Sequence, residues 1–249
     1  MMQQTPIYDQ IVQARSENRK MIGVLLDPDK QRLDELEACL HAMDSRVVDL
    51  ILVGGSTVEN GDTQRLVGKI KELSTLPVVL FPGDFSQITP DADALLFLNL
   101  ISGRNSEYLR NQQVKAVPLI QETDLEVIPT AYVLIDGGVS TSVARVSQTQ
   151  PLNLSDIETI RNTAMAGQYM GNKLVYLEAG SGAQRPVPGS LIAELRSLIE
   201  IPIIAGGGIR SHEQMAEAFE NGADMVVIGT AFEQDPKILR KLLNDEYIQ

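Results

Sequence analysis

Short apolar runs alternate with longer amphipathic stretches along nearly the whole chain. Eight runs have strand length: residues 22–27, 47–54, 77–81, 94–99, 130–136, 173–178, 202–205 and 225–229. Most are continuous in Val, Ile and Leu, the pattern of parallel strands covered on both faces. Between them the spacing turns helical. Leu33, Leu36, Leu40 and Met43 share one helix face, as do Leu66, Ile70 and Leu73. Ser155-Asp156-Ile157-Glu158 reads as a capping box opening the helix before the sixth strand, and Ser211 with Gln214 repeats it after the seventh. Gly222 closes that later helix. Eight strand–helix units predict an α/β fold, a single (β/α)8 TIM-type barrel over residues 1–249. Residues 1–20 would form an N-terminal helical extension, with 8–14 covering the barrel floor.

Two stretches depart from the repeat. Residues 82–93 are too short, and too broken by Pro82, Gly83 and Pro90, for a regular third helix. Residues 114–120 carry Pro118 and are expected as a kinked fourth helix, because 130–136 makes the better fifth strand and keeps the count at eight.

The strands that end in glycine bring in chemistry. Pro202-Ile203-Ile204-Ala205-Gly206-Gly207-Gly208-Ile209-Arg210 and Asn221-Gly222-Ala223-Asp224-Met225-Val226-Val227-Ile228-Gly229-Thr230 each run from an apolar strand through glycine into a helix start. Glycine lets backbone N–H groups approach an oxyanion, and the following helix N-terminus adds its positive dipole. In (β/α)8 barrels the loops after strands 7 and 8 build a phosphate site. A phosphorylated small molecule is therefore the first ligand expected.

Composition narrows the classes. The length of 249 residues fits one such barrel, typically ~250. No run approaches the ~18 apolar residues of a membrane span. The N-terminal residues lack a basic-then-apolar signal pattern. The single cysteine, Cys39, sits on an apolar helix face and reads as core; together these features point to a cytoplasmic location. A net charge of −12 disfavours a nucleic-acid partner. It leaves anion binding to local dipoles, a few cations and a metal.

Active sites of this fold lie at the C-terminal strand ends. There stand Asp27-Pro28-Asp29-Lys30, Gly54-Gly55-Ser56-Thr57, Asp84, Asn99, Asp136 and Tyr176-Leu177-Glu178-Ala179-Gly180-Ser181-Gly182. Strand alternation puts Tyr176 and Glu178 on one face and Leu177 on the other. Asp27 is the best candidate for magnesium, which takes one or two carboxylates and completes its shell with water and phosphate; turn formation is its other reading. Asp29 is expected as a helix N-cap, and Lys30 as either a phosphate contact or a solvated charge. His41 and His212 read as bystanders, so zinc and Ser-His schemes find no support. One carboxylate, a metal and oxyanion binding remain, a set suited to phosphoryl or diphosphate chemistry.

These residues resemble the geranylgeranylglyceryl phosphate synthase family, which also contains the heptaprenylglyceryl phosphate synthases. The resemblance rests on Leu25-Leu26-Asp27-Pro28-Asp29-Lys30, Val53-Gly54-Gly55-Ser56, the Tyr176–Gly182 segment, Ala205-Gly206-Gly207-Gly208-Ile209-Arg210 and Ile228-Gly229-Thr230. It implies a prenyltransferase in which the 3-hydroxyl of sn-glycerol 1-phosphate attacks C1 of a long prenyl diphosphate, geranylgeranyl by branch. It further implies Asp27 and Ser56 as magnesium positions. Tyr176, Leu177, Glu178, Ala179, Gly180, Ser181, Gly182, Gly207, Gly208, Gly229 and Thr230 fall on the glycerol-phosphate site, with Glu178 and Tyr176 catalytic. Some members carry Lys two residues before the metal Asp; Leu25 stands there in this chain, so that cation comes from Lys30 or Arg210 or is dispensed with. Phe85, Ile88, Leu98, Tyr108, Val139, Tyr169 and Met170 are candidates for a prenyl groove. A homo-oligomer and a transient contact with a membrane surface are also expected. The rival readings are a sugar-phosphate isomerase or aldolase, and a non-catalytic barrel that binds a phospho-ligand.

Overall fold

The computed structural model describes residues 5–43, 46–59 and 62–242. Parallel strands β1 (Met21–Leu26), β2 (Leu50–Val53), β3 (Val78–Leu80), β4 (Ala94–Asn99), β5 (Glu126–Leu134), β6 (Leu174–Glu178), β7 (Ile203–Gly206) and β8 (Met225–Ile228) close into a barrel in chain order. The seam pairs Met21 of β1 with Met225 of β8. The helices are α1 (Ile7–Ser16), α2 (Leu36–Ala42), α3 (Thr63–Leu73), α4 (Gln112–Ile120), α5 (Ser142–Ser147), α6 (Ile157–Tyr169), α7 (Gly189–Arg196), α8 (His212–Glu220), α9 (Thr230–Gln234) and α10 (Ile238–Leu242).

Alternation along each strand divides the core in two. On β2, Leu50 and Leu52 join the barrel interior while Ile51 and Val53 pack with the helices. The helix-side layer also takes Leu36, Leu40, Met43, Leu66 and Ile70, and Cys39, whose thiol burial pushes up to about 11. Helix α1 buries Ile7, Ile11 and Ala14 against the strand starts Met21, Leu50, Leu174 and Met225. The Tyr8 N–H donates to the Glu126 carboxylate at 3.0 Å, tying the helix start to β5. This is the expected floor helix; residues 1–4 of the expected extension lie outside the described residues.

Both irregular stretches are as expected. After β3 there is only a single 3-10 turn, Phe85–Gln87, and α4 contains Pro118, preceded by a wide turn over Glu107–Asn111. Five expectations need correction. Strand β5 begins at Glu126, because Pro129, which has no N–H, still accepts through its carbonyl from Lys173 N–H at 2.8 Å. Leu73 is 40 % exposed, since the buried stripe of α3 runs through Thr63, Leu66, Val67 and Ile70. The cap of α6 is Asp156, whose carboxylate accepts from Thr159 N–H at 3.1 Å, while Ser155 turns to Asn153. Asp29 caps no helix: α2 starts at Leu36, and the Asp29 carboxylate instead accepts from Glu59 N–H at 2.9 Å. Ser211 does cap α8, but Gln214 returns to Arg210 N–H, one residue short of a closed box.

Candidate active site

The period of two along β6 sends Leu177 into the helix layer and Tyr176 and Glu178 toward the barrel axis. Glu178 is 6 % exposed. Its carboxylate accepts from Gly180 N–H at 2.6 Å and from the hydroxyls of Tyr132 and Tyr176. Burial raises its pKa to about 7, against the pull of those three hydrogen bonds. Burial also lifts both phenols well above their ordinary value, with the nearby Glu178 charge adding to it. Phe81, Tyr132 and Tyr176 form an aromatic cluster beneath the carboxylate, with ring centroids 5.1–5.8 Å apart. Tyr132 was not legible as a site residue; its signal was its place on β5, paired in register with Tyr176.

The loops after β6, β7 and β8 converge around this carboxylate. Gly207 and Gly208 have φ of +79° and +77°, a conformation that favours glycine. A Cβ on Gly207 would lie 2.4 Å from Glu178 Oε1, and one on Gly208 would lie 2.8 Å from the Arg185 backbone. The Ser181 and Thr230 hydroxyls are 3.0 Å apart and link the loops after β6 and β8. The Arg210 guanidinium is held at the rim by the Ala183 carbonyl at 2.7 Å. Among the phosphate-site candidates, Ser181, Gly182, Gly207, Gly208, Gly229 and Thr230 line one polar cavity with Tyr176 and Glu178. Two amides of that set are already engaged. Ala179 N–H donates to Gly206 and Gly180 N–H to Glu178, so neither is free for an oxyanion.

Across the same cavity stand Asp27 and Ser56. Asp27 Oδ1 accepts from Asp29 N–H at 3.1 Å, and Oδ2 pairs with Lys30 Nζ at 2.9 Å. Lys30 Nζ also contacts Glu233 Oε2 at 3.2 Å. A Cβ on Gly55 would come within 2.8 Å of Asp27 Oδ1, so the glycine lets the loop carrying Ser56 lie against the carboxylate. One carboxylate and one hydroxyl beside open polar space fit magnesium, which leaves most of its shell to water and phosphate. Among the described residues no group of three or more His, Cys, Asp or Glu could hold a metal, as that sparse set implies.

An apolar cavity adjoins the polar one, and Gly55, Ser56, Phe81, Tyr132 and Val143 line both. Of the groove candidates, Phe85, Ile88, Leu98 and Tyr108 line it, joined by Ala116 of α4. Val139 lies instead in a separate surface hollow. Tyr169 and Met170 are 76 % and 70 % exposed and end the helix that leads to the start of β6, the floor end of the barrel. His41 is exposed, and His212 faces the Leu242 carbonyl.

A closed parallel barrel with a buried carboxylate where two cavities meet defines a (β/α)8-barrel enzyme. The chain belongs to the PcrB family, whose model matches residues 14–245. It is 49 % identical over 231 residues to the geranylgeranylglyceryl phosphate synthase of Flavobacterium johnsoniae, covering 93 % of this chain and 95 % of that one. The synthase of Thermococcus gammatolerans is 39 % identical over 91 % of this chain and 89 % of its own. Among solved structures, (S)-3-O-geranylgeranylglyceryl phosphate synthase from Thermoplasma acidophilum, in complex with its substrate sn-glycerol-1-phosphate, superposes with a TM-score of 0.88 at 32 % identity, covering 96 % of both chains. The wild-type enzyme of Thermoplasma volcanium gives 0.86 at 36 % identity, again over 96 % of each chain. No described helix is long and apolar enough to cross a membrane.

Proposed function

We propose that this chain is a prenyltransferase that joins sn-glycerol 1-phosphate to geranylgeranyl diphosphate, giving geranylgeranylglyceryl phosphate and diphosphate. The observation that carries this reading is the meeting of two unlike cavities at Tyr132 and Phe81, beside buried Glu178. A phosphate held by the glycine loops of β6–β8 would place a three-carbon alcohol beside Glu178. A prenyl chain in the apolar cavity would bring its C1 to the same point. The C1–O bond to diphosphate breaks with its electron pair leaving on diphosphate, the alcohol oxygen bonds to C1, and Glu178 takes the alcohol proton. A carboxylate with a pKa near 7 suits proton acceptance at neutral pH. The faces of Phe81, Tyr132 and Tyr176 favour the positive charge that develops on an allylic carbon. Magnesium, when held by Asp27 and Ser56, supplies charge stabilisation on the departing diphosphate. Positioning and exclusion of water remain the work of the chain itself.

An aldolase acting through a Schiff base would need a lysine amine on an inner strand face, whereas Lys173, beside the start of β6, lies at the floor with its Nζ 4.8 Å from the Tyr8 ring centroid. The test is incubation with magnesium, sn-glycerol 1-phosphate and prenyl diphosphates of several lengths, with products identified by mass. The expected product is the twenty-carbon ether. No ether with any prenyl diphosphate overturns the reading, and turnover of a sugar phosphate would replace it.

A further inference from the structure

Lys30 is the least explained charge at the barrel mouth. It reaches the polar cavity from the loop after β1 and contacts two carboxylates, Asp27 at 2.9 Å and Glu233 at 3.2 Å. Both carboxylate side chains are only 14 % exposed, whereas Lys30 is 50 % exposed. The two carboxylates come from opposite ends of the sequence and are brought together across the β1–β8 seam. Glu233 sits in the first turn of α9. Two carboxylates this close repel each other without a cation between them. Lys30 is that cation.

We propose that Lys30 occupies the cation position beside Asp27 until a divalent ion and the prenyl diphosphate arrive, and that Glu233 then retains its ammonium as a direct contact for the diphosphate. The inference rests on the metal role given above to Asp27. An ion at Asp27 must displace a like charge held 2.9 Å away, so binding of the ion alone is penalised. With diphosphate present, the displaced ammonium gains a new anionic partner and the penalty is recovered. The two ligands are thereby coupled: each binds better after the other. Half-exposed Lys30 has the freedom to make this move, while Glu233, mostly buried on α9, fixes the point about which it pivots.

The test measures Mn2+ binding to the ligand-free protein by electron paramagnetic resonance, and KM values at saturating magnesium. Lys30→Met should bind Mn2+ about tenfold tighter than wild type and raise KM for geranylgeranyl diphosphate about tenfold, as loss of a charge-assisted contact does. Its KM for sn-glycerol 1-phosphate should hold. Lys30→Arg should restore the KM for the diphosphate. Glu233→Gln should act in the opposite sense on the ion, weakening Mn2+ about threefold, because Lys30 then falls wholly to Asp27. Mn2+ binding that Asp27→Asn abolishes and Lys30→Met leaves unchanged or weaker overturns the proposal but keeps the metal assignment. No Mn2+ binding by wild type or by Lys30→Met removes both. Mn2+ binding by Lys30→Met alone supports the proposal in its strongest form.

Discussion

The two halves of the barrel mouth are built on different principles. On the β6–β8 side the site is made by backbone: glycine turns with positive φ, loops fastened by the Ser181–Thr230 contact, and a carboxylate wedged against Gly207. On the β3–β5 side it is made by side chains, Phe85, Leu98, Tyr108 and Ala116, that come from a single 3-10 turn, a strand, a wide turn and a helix containing a proline. A small, highly charged group needs donors at fixed positions, which backbone supplies with little freedom. A long flexible hydrocarbon needs only apolar volume, which many side-chain combinations provide. The rigid half should therefore respond to mutation with loss of one substrate, and the greasy half with a change of preference.

The largest effect should come from the carboxylate between the halves. Glu178→Gln is expected to lower kcat by about 10²–10⁴-fold, as loss of a general base does, with a much smaller change in KM for glycerol phosphate. A fall below tenfold in single-turnover kinetics would reduce Glu178 to an orienting group. In wild type, kcat should rise as pH passes about 7, because the base acts deprotonated. The stability sign is opposite. A carboxyl whose pKa is raised in the fold contributes stability that is full below its unfolded value of ~4.3 and is lost as pH climbs through the folded value. Glu178→Gln should thus melt higher than wild type at pH 8 and show no such gain at pH 4. A melting curve at each pH decides it.

Next in size is Asp27→Asn, which keeps volume but removes the charge offered to magnesium. Turnover should drop by about 10²-fold or more with little change in Tm. Near-wild-type activity with an unchanged magnesium requirement would refute the metal assignment.

The backbone half is probed by Gly208→Val. The left-handed φ and the Arg185 backbone 2.8 Å from a Cβ mean that this loop must move. KM for glycerol phosphate should rise about tenfold or more, since charge-assisted donors contribute ~1.5–3 kcal/mol each. KM for the prenyl diphosphate should change far less. Equal weakening of both would erase the distinction between the halves.

The smallest expected effect is on the apolar half. Ala116→Phe adds a ring to the cavity wall at a residue that is 4 % exposed. Competition between ten- and twenty-carbon diphosphates should shift toward the shorter by about tenfold, at a stability cost of ~1–3 kcal/mol. An unchanged preference would place the chain elsewhere.

The same contrast governs what could be read from the sequence. Glycine followed by a helix start, and a Tyr–Glu pair two residues apart on a strand, are local patterns, so the glycine loops and Glu178 were visible in advance. Strand β4 matched to the residue, because its apolar run has clear polar ends. Tyr132 and Glu233 depend on which distant segments meet, and nothing in their neighbours announces it. Asp29 misled for a related reason: Asp-Pro-Asp is good capping chemistry, but the chain delays α2 until Leu36 and spends that carboxylate on the neighbouring loop. Tyr169 and Met170 looked apolar enough for a groove, yet helix direction put them at the other end of the barrel.

The β1–β8 seam also sets a schedule. Met21 meets Met225, so a chain emerging from the ribosome holds a finished first strand long before its partner exists. Until β8 appears, β1 and β7 are open edges, ready to pair with any other extended segment. The floor helix can dock on β5 earlier, through Glu126, and cover one end of the nascent sheet. Gly229, Thr230 and Glu233 are synthesised only after the last strand. The half-made barrel therefore has its apolar wall before its last glycine loop, and its open edges close only when β8 pairs with β1.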